Sequence, residues 1–304
     1  MRSSHLPKMA FAIALAAPAF AQLSQTAAWA THAANEYQVY PNVTYLTMGD
    51  TQLKMDIYRR RTATTPQPTI VYMHGGFWVA GNKEGAILNL LPWMEMGWNV
   101  VNVEYRLGPN TLAPGAVEDC FCALRFIAQQ AQAMTYNVDV NRIVVTGESA
   151  GGHLALALGI LPESEGFDRE CAANTPMPKV AAVINWFGIS DVPDVIDGPH
   201  RAAAAVRWFG SMPNPMRMEV AKRVSPLTYV RAGLPPILTV HGDADTTVPY
   251  PQAVKLQEAL TKVNVPNQLV TISGGKHGNF TPQERDHIYL TIREFLGKNG
   301  LGPK

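Results

Sequence analysis

Short apolar runs alternate with amphipathic stretches along most of the chain. Seven runs are predicted to be β-strands, at residues 51–59, 69–74, 99–105, 142–147, 180–187, 236–242 and 267–272. The first run alternates apolar and polar residues, whereas four of the runs are continuously apolar. A continuous apolar run is typical of a parallel strand that is covered on both faces.

Helical patterns fall between these strands. Residues 117–134, 251–263 and 283–297 carry apolar side chains at helical spacing. Strands that alternate with helices predict an α/β fold, with a doubly wound, mostly parallel sheet, an antiparallel start and helices on both faces. Residues 188–233, called the excursion below, are rich in Pro, Trp and Met and contain no predicted strand. We expect this cap-like excursion to cover a pocket.

Length and charge narrow the classes of protein. The chain has 304 residues, 47% of them hydrophobic, so it can bury a large core. No repeat or low-complexity linker divides it, and residues 22–304 are predicted to form a single domain. The net charge of +1 argues against nucleic acid or an anionic membrane as the main partner. Oligomeric state is not readable from the sequence.

The first 21 residues are predicted to be a secretory signal peptide. Arg2 and Lys8 precede an apolar stretch, MAFAIALAAP, and Ala19-Phe20-Ala21 fits a small-x-small cleavage site before Gln22. The motif at residues 28–30 is an alternative site. The apolar stretch is shorter than the roughly 20 residues that span a bilayer. We therefore expect a secreted or periplasmic protein without stable membrane insertion.

The three cysteines leave three possibilities open. Cys120 and Cys122 lie two residues apart on a predicted helix, so their side chains diverge and should not bond to each other. Cys171 could pair with either one, or all three could be unpaired thiols. Their spacing does not suggest a zinc site, and no metal is expected.

A lone serine lies where one strand gives way to a helix. The sequence GESAG at residues 147–151 follows the strand of residues 142–147 and precedes a run of Ala and Leu. A G-x-S-x-G sequence in this context is typical of the nucleophile elbow of α/β-hydrolases, in which a sharp turn exposes the serine hydroxyl. Ser149 is therefore the predicted nucleophile.

Polar residues follow three further strands. A His-Gly-Gly loop follows residues 69–74, Asp243 and Asp245 follow residues 236–242, and His277 follows residues 267–272. The carboxyl ends of parallel strands meet at one edge of the sheet, where ligands bind. The order Ser, Asp, His is the order that α/β-hydrolases use. His277 is the predicted base, and either aspartate could be the acid.

The attack of a serine on a carbonyl also needs donors for the oxyanion. The residue after the nucleophile, Ala150, can supply one N–H, and Gly76 and Phe77 of the His-Gly-Gly loop can supply others. The loop departs from the HGGG-type motif because Phe77 replaces the third glycine. A backbone N–H survives that change.

Several segments together resemble a known enzyme family. HGGFWVAGNKE, VVNVEYRLGP, APGAVEDCFCALRFI, GESAGGHLALAL, HGDADTTVPYPQAVKLQEAL and GGKHGNF are similar to serine carboxylesterases of the hormone-sensitive-lipase-like α/β-hydrolase group, and most similar to bacterial feruloyl and acetylxylan esterases. The resemblance covers roughly residues 50–297. It implies an α/β-hydrolase fold, action on esters with small or aromatic acyl groups, and no cofactor. HGDADTTVP resembles the H-G-x-x-D-x-x-V-P loop of related hydrolases, which favours Asp245 as the acid.

Two other functions remain alternatives. HGGFW also resembles the loop of arylformamidases, so an amidase of the same fold is one alternative, and a catalytically silent binding module is the other. Phe77, Trp78 and Trp186 are the predicted contacts for an acyl group of a small-molecule or carbohydrate ester. Arg106 is predicted to form a structural ion pair. Prolines limit long helices in the excursion, so short acyl chains are expected.

Overall fold

In the computed structural model, the described residues are 25–108, 110–171 and 175–302. Eight strands in this part of the chain form one sheet in the order β1-β2-β4-β3-β5-β6-β7-β8. The strands are β1 (Tyr37–Met48), β2 (Thr51–Arg60), β3 (Gln67–Met73), β4 (Asn99–Val103), β5 (Val138–Glu148), β6 (Ala182–Trp186), β7 (Ile237–Gly242) and β8 (Asn267–Ile272). β1 pairs with β2 and β2 with β4 in antiparallel fashion, and the other pairs are parallel. The predicted α/β sheet with an antiparallel start is confirmed.

Helices cover both faces of the sheet. They are α1 (Gln25–Glu36), α2 (Ile87–Glu95), α3 (Gly115–Gln132), α4 (Ala150–Ile160), α5 (Val192–Asp197), α6 (Ala203–Arg207), α7 (Asn214–Arg223), α8 (Pro251–Lys262) and α9 (Pro282–Lys298). α3, α4 and α8 contribute to one apolar core, and α2 and α9 contribute to a second core. The three helices predicted from periodicity correspond to α3, α8 and α9.

The sequence pattern does not reveal β1. Its partner β2 is mostly buried, but β1 is an edge strand with many exposed positions and includes Pro41. Its pairing with β2 is interrupted between Tyr40 and Val43, where Asn42 has a positive φ of 56°. The Asn42 N–H donates to Asp56 Oδ1 at 2.7 Å. A bulged edge strand loses the strict alternation that identifies a half-buried strand.

The excursion joins β6 to β7 and contains α5, α6 and α7, with no strand, as predicted. It packs on the loop after β3 through Trp208, whose ring stacks on Trp78 at a centroid distance of 4.3 Å and an angle of 17°. Both rings are fully buried. The excursion and this loop therefore share a core.

One disulfide bond is present. Cys122 of α3 bonds to Cys171, and the bond joins positions 49 residues apart. Cys120 is buried and free. Of the possibilities that the sequence left open, the structure therefore has the Cys122–Cys171 pair.

The signal-peptide prediction falls on residues 1–21, which lie outside the described residues. Among the helices that the structure describes, none is both long and apolar enough to cross a membrane. Export of the protein stays a prediction.

A buried histidine connects the excursion to α4. His153 Nδ1 lies 3.0 Å from Trp78 Nε1, an obligate donor, so Nδ1 must accept. Nε2 then carries the proton and donates to the Val224 carbonyl oxygen at 2.8 Å. Burial lowers the pKa of His153 to about 4, more than the hydrogen bond to Val224 raises it. A second proton would have to enter on Nδ1, against the Trp78 N–H.

His153 is expected to make folding stability pH-dependent. The unfolded chain binds a proton below a pKa of about 6.5, whereas folded His153 does so only near pH 4, so acid favours unfolding in this window. At pH 4.5 the loss should be roughly 2–3 kcal/mol, since each pKa unit corresponds to about 1.4 kcal/mol. His153→Asn keeps an acceptor for Trp78 but cannot titrate. Its deficit in unfolding free energy relative to wild type, measured by urea denaturation, should therefore shrink by that amount between pH 7 and pH 4.5.

The exposed His287 provides the control, because His287→Asn removes an imidazole that has no buried partner. The deficit of this exposed variant should not show the decrease of roughly 2–3 kcal/mol that is expected for His153→Asn. A deficit of His153→Asn that is the same at both pH values would contradict the lowered pKa of the buried His153.

Candidate active site

Ser149 lies in a strained turn between β5 and α4. Its backbone has φ 57° and ψ −118°, a combination that residues other than glycine rarely adopt. This sharp turn brings the start of α4 directly against the end of β3. A side-chain carbon at Gly151 would lie 2.0 Å from the Met73 carbonyl oxygen, so no larger residue fits there. The small residues around Ser149 therefore allow the strand-to-helix turn to hold the serine at the sheet edge.

The three residues predicted as a triad lie together. Ser149 Oγ is 3.0 Å from His277 Nε2, and His277 Nδ1 is 2.7 Å from Asp245 Oδ2. A carboxylate can only accept, so Nδ1 carries the proton and Nε2 is free to accept the serine proton. Ser149 and Asp245 are buried, whereas His277 is half-buried.

The two candidate acids have different partners. Asp245 contacts His277, and its Oδ1 also accepts the backbone N–H groups of Thr247 at 2.8 Å and Val248 at 3.0 Å. Asp243 lies in the adjacent turn, where its Oδ1 accepts the Gly274 N–H at 2.6 Å. Asp245 is therefore placed to orient the imidazole, and Asp243 braces the loop that carries His277.

A second imidazole faces Asp245. His241 is fully buried at the end of β7, and its Nε2 donates to the Val248 carbonyl oxygen at 2.8 Å and lies 3.4 Å from Asp245 Oδ2. Burial alone would raise the pKa of Asp245, but hydrogen bonds from His241 and His277 outweigh it and hold the pKa well below its usual range. Asp245 is thus a carboxylate at neutral pH. The sequence gives no sign of this approach, because His241 only falls near the end of the predicted strand at residues 236–242.

The loop after β3 lies directly beside Ser149. A side-chain carbon at Gly75 would be 3.4 Å from Ser149 Cβ. Gly76 has φ +122°, and Phe77 and Trp78 have φ values of 50° and 59°. The N–H groups of Val79 and Ala80 both donate to the Gly76 carbonyl oxygen at 3.0 Å, which closes a tight turn.

The predicted oxyanion donors adjoin this turn. The N–H groups of Gly76 and Phe77 donate to no acceptor in the part of the chain that the structure describes. Ala150 begins α4, so its N–H has no partner within the helix. Whether these three groups bind an oxyanion stays a prediction.

A buried ion pair that the sequence did not predict holds the far end of this loop. Lys83 Nζ lies 2.9 Å from Asp56 Oδ2 of β2 and 2.6 Å from Glu84 Oε1. The backbone of Lys83 is also held, because its N–H donates to Glu104 Oε2 at 2.6 Å and its carbonyl accepts from Asn102 Nδ2 at 2.7 Å. The sequence offers little signal for this pair, because Asp56 occupies a polar position of the alternating run at residues 51–59.

The predicted acyl contacts of two tryptophans are not supported by this structure. Trp78 is fully buried against Trp208 and His153, and Trp186 is 2% exposed and packs near Tyr289. Both rings are used for packing, so neither offers a surface to a substrate. Phe77 is half-buried, and its contact with an acyl group stays a prediction.

Other side chains near the site have structural partners. Arg106 forms the predicted ion pair, with the carboxylate of the fully buried Asp119 at 2.6 Å. Glu148 Oε2 accepts from Asn89 Nδ2 at 3.2 Å, and burial raises the pKa of this carboxyl. Within the described ranges, no group of three or more His, Cys, Asp or Glu side chains is arranged to hold a metal ion.

Known proteins with similar sequences carry esterase names. The chain is 29% identical over 215 residues to the probable carboxylic ester hydrolase LipM of Mycobacterium tuberculosis. The aligned region covers 69% of this chain and 49% of that protein. It is 30% identical over 222 residues to esterase LipC of the same organism, and this aligned region covers 69% of this chain and 52% of that protein. The chain thus spans about half the length of these curated relatives.

Solved structures match over nearly their whole length. The propionate-bound thermophilic esterase Est2 of Thermogutta terrifontis has a TM-score of 0.72 and 25% identity, with 88% of this chain and 96% of that chain covered. A truncated carbohydrate esterase from gut microbiota has a TM-score of 0.72 and 25% identity, with 86% and 97% covered. Residues 55–260 match the family model BD-FAE, which is more than half of the chain. The protein therefore belongs to the BD-FAE family, the hormone-sensitive-lipase-like branch of the α/β-hydrolase fold.

Proposed function

We propose that the protein is a serine carboxylesterase that hydrolyses short-chain or aromatic acyl esters through an acyl-enzyme. The observation that carries this proposal is the continuous contact from Ser149 Oγ through both ring nitrogens of His277 to Asp245 Oδ2. The esterase names of the relatives LipM and LipC and of the structural neighbour Est2 support it.

The first half of the reaction forms the acyl-enzyme. Ser149 Oγ attacks the ester carbonyl carbon while its proton moves to His277 Nε2, which lies 3.0 Å away. Asp245 stabilises the imidazolium because it remains ionised and accepts the Nδ1 proton. The tetrahedral intermediate collapses, the carbon–oxygen bond to the alcohol breaks, and Nε2 returns its proton to the leaving oxygen.

Water completes the cycle by the same route. His277 Nε2 takes a proton from water as its oxygen attacks the acyl carbon, and the proton then passes to Ser149 Oγ as the carboxylic acid leaves. In both halves the carbonyl oxygen becomes an oxyanion. We assign its stabilisation to the N–H groups of Gly76, Phe77 and Ala150, since fixed donors of this kind act without reorganisation.

Substitution of the nucleophile tests this mechanism. Ser149→Ala should lower kcat by about 10⁶-fold, because it removes the oxygen that attacks the ester. Paraoxon should phosphorylate one serine in the wild type, as a structural neighbour of this chain is phosphorylated by it, and peptide mass spectrometry should place the label on Ser149. The alanine variant should not be labelled.

Ser211→Ala, an exposed substitution in the excursion, is the matched control and should keep both turnover and labelling. Near-normal activity of Ser149→Ala, with an unchanged far-ultraviolet spectrum, would refute a serine mechanism. Activity against a 4-nitroanilide that exceeds activity against the matched 4-nitrophenyl ester would favour the amidase alternative.

The two neighbouring aspartates offer an internal comparison. Asp245→Asn should lower kcat by about 10⁴-fold, because an amide can donate to Nδ1 and so favours the wrong imidazole tautomer. Asp243→Asn should change kcat little, since an amide oxygen can still accept the Gly274 N–H, and should cost about 1 kcal/mol of stability. The check is kcat beside the unfolding free energy of each variant. If Asp243→Asn were the inactive protein, the acid would be wrongly assigned.

The acyl group is proposed to be short or aromatic. The helices of the excursion span at most 10 residues, as in α7 (Asn214–Arg223), which leaves little apolar roof for a long acyl tunnel. Phe77 belongs to the loop after β3, and its half-buried ring can stack on an aromatic acid. A structural neighbour binds propionate and butyrate.

We also propose that the protein is exported and acts on acetylated or feruloylated carbohydrates. The predicted signal peptide and the carbohydrate esterase among the structural neighbours support this proposal.

A chain-length series checks the acyl preference. With 4-nitrophenyl esters of two to twelve carbons, kcat/KM should be highest at two to about four carbons, because each CH₂ beyond the pocket gains no burial. An optimum at ten carbons or more would mean that the excursion covers a long apolar tunnel.

A further inference from the structure

A cavity lies between the loop after β3 and the excursion. It has a volume of about 420 Å³ and is lined by Val79, Ala80, Gly108 and Arg207. None of the three triad residues lines it. These four residues are called the Arg207 subsite below.

Part of the wall of the Arg207 subsite belongs to the loop after β3, which lies beside Ser149. Val79 and Ala80 belong to the turn that closes on the Gly76 carbonyl oxygen. Residues at the ends of such a turn lie within about 7 Å of each other. Gly75, one residue earlier, approaches Ser149 Cβ closely. One short loop segment, residues 75–80, therefore connects the surroundings of Ser149 to the wall of this cavity.

The backbone that carries Arg207 is anchored by the next residue in the chain. This residue, Trp208, is fully buried and stacks on Trp78. The Trp78 carbonyl accepts from the Gly108 N–H at 2.7 Å, so the same tryptophan holds two sides of the cavity. The Arg207 side chain itself is exposed, and in the part of the chain that the structure describes it contacts no carboxylate.

Two other arginines have carboxylate partners. Arg106 pairs with Asp119 at 2.6 Å, and Arg223 of the excursion pairs with Glu165 at 3.0 Å. Among the described residues, the Arg207 subsite thus combines one cationic side chain at its rim with backbone and small apolar side chains, and none of its lining residues is acidic. A guanidinium in this setting matches a carboxylate, which can accept two parallel N–H bonds from it.

We propose that the Arg207 subsite binds a carboxylate carried by the ester substrate, and that the enzyme therefore prefers esters bearing an acid group over neutral esters of the same shape. The carboxylate belongs either to the acyl part or to the alcohol part. This inference rests on the proposed esterase function, and it adds a substrate class to it.

The experiment uses two matched pairs of esters with the full chain. 4-Acetoxybenzoate and 4-acetoxybenzamide place a charged or neutral group on the leaving alcohol. The monoester of 4-nitrophenol with glutaric acid and 4-nitrophenyl pentanoate do the same on the acyl side. For each pair the quantity is the ratio of kcat/KM for the acidic ester to kcat/KM for the neutral ester, after subtraction of spontaneous hydrolysis.

Arg207→Gln should lower this ratio by about three- to tenfold in one pair, because it removes a charge-assisted hydrogen bond at a partly exposed site. It should leave kcat/KM for the neutral esters unchanged. Arg207→Lys should retain part of the ratio, and 0.5 M NaCl should reduce it in the wild type. The pair that responds identifies whether the acid group lies on the acyl or the alcohol side.

Arg201→Gln, another exposed arginine of the excursion that does not line the cavity, is the control and should leave both ratios unchanged. Ratios that do not respond to Arg207→Gln in either pair would overturn the proposal, and so would an equal response to Arg201→Gln, which would indicate only the general field of the protein. Failure of the esterase function itself would differ from both results, because the neutral esters would then not be hydrolysed by the wild type.

Discussion

The close contact between the start of α4 and the end of β3 is the constraint on which the site depends. Gly151 lies so near the Met73 carbonyl that the helix must begin at the sheet edge, and this geometry forces Ser149 into its unusual backbone conformation. The same contact places Gly75 against Ser149. One packing restriction therefore sets both the position of the proposed nucleophile and its distance from the loop that carries the predicted oxyanion donors.

That loop contains three consecutive residues with positive φ, Gly76, Phe77 and Trp78. For the two aromatic residues this conformation is unfavourable by about 1–3 kcal/mol each, so surrounding contacts must hold it. On one side the buried Lys83–Asp56 pair fixes the end of the loop to β2. On the other, Trp78 packs on Trp208 and donates to His153. The charged anchor and the aromatic anchor together stabilise a conformation that the loop would not adopt alone.

The parallel strands and their helices could be predicted from the sequence because each signal is local, and so could the convergence of Ser149, Asp245 and His277 at the strand ends. Features set by distant contacts could not. Lys83 and Asp56 are 27 residues apart, and nothing in either segment identifies the other as its partner. Cys120 and Cys122 are equivalent in sequence, and the rotation of α3 relative to residue 171 selects Cys122. β1 escaped prediction because pairing with β2, rather than its own pattern, makes it a strand.

Trp78 illustrates how a residue near a site can contribute without touching substrate. Its place in the sequence, directly after the glycine loop, favoured a contact with the acyl group. In the structure its ring instead joins the loop after β3 to the excursion, with Trp208 stacked on one face and His153 at its N–H. A joint of this kind leaves little freedom for the two segments to move independently, since all three rings are fully buried. The excursion backbone next to Trp208, which carries Arg207, is consequently anchored against the loop after β3. An anchored backbone of this kind allows a residue outside the triad to select among substrates.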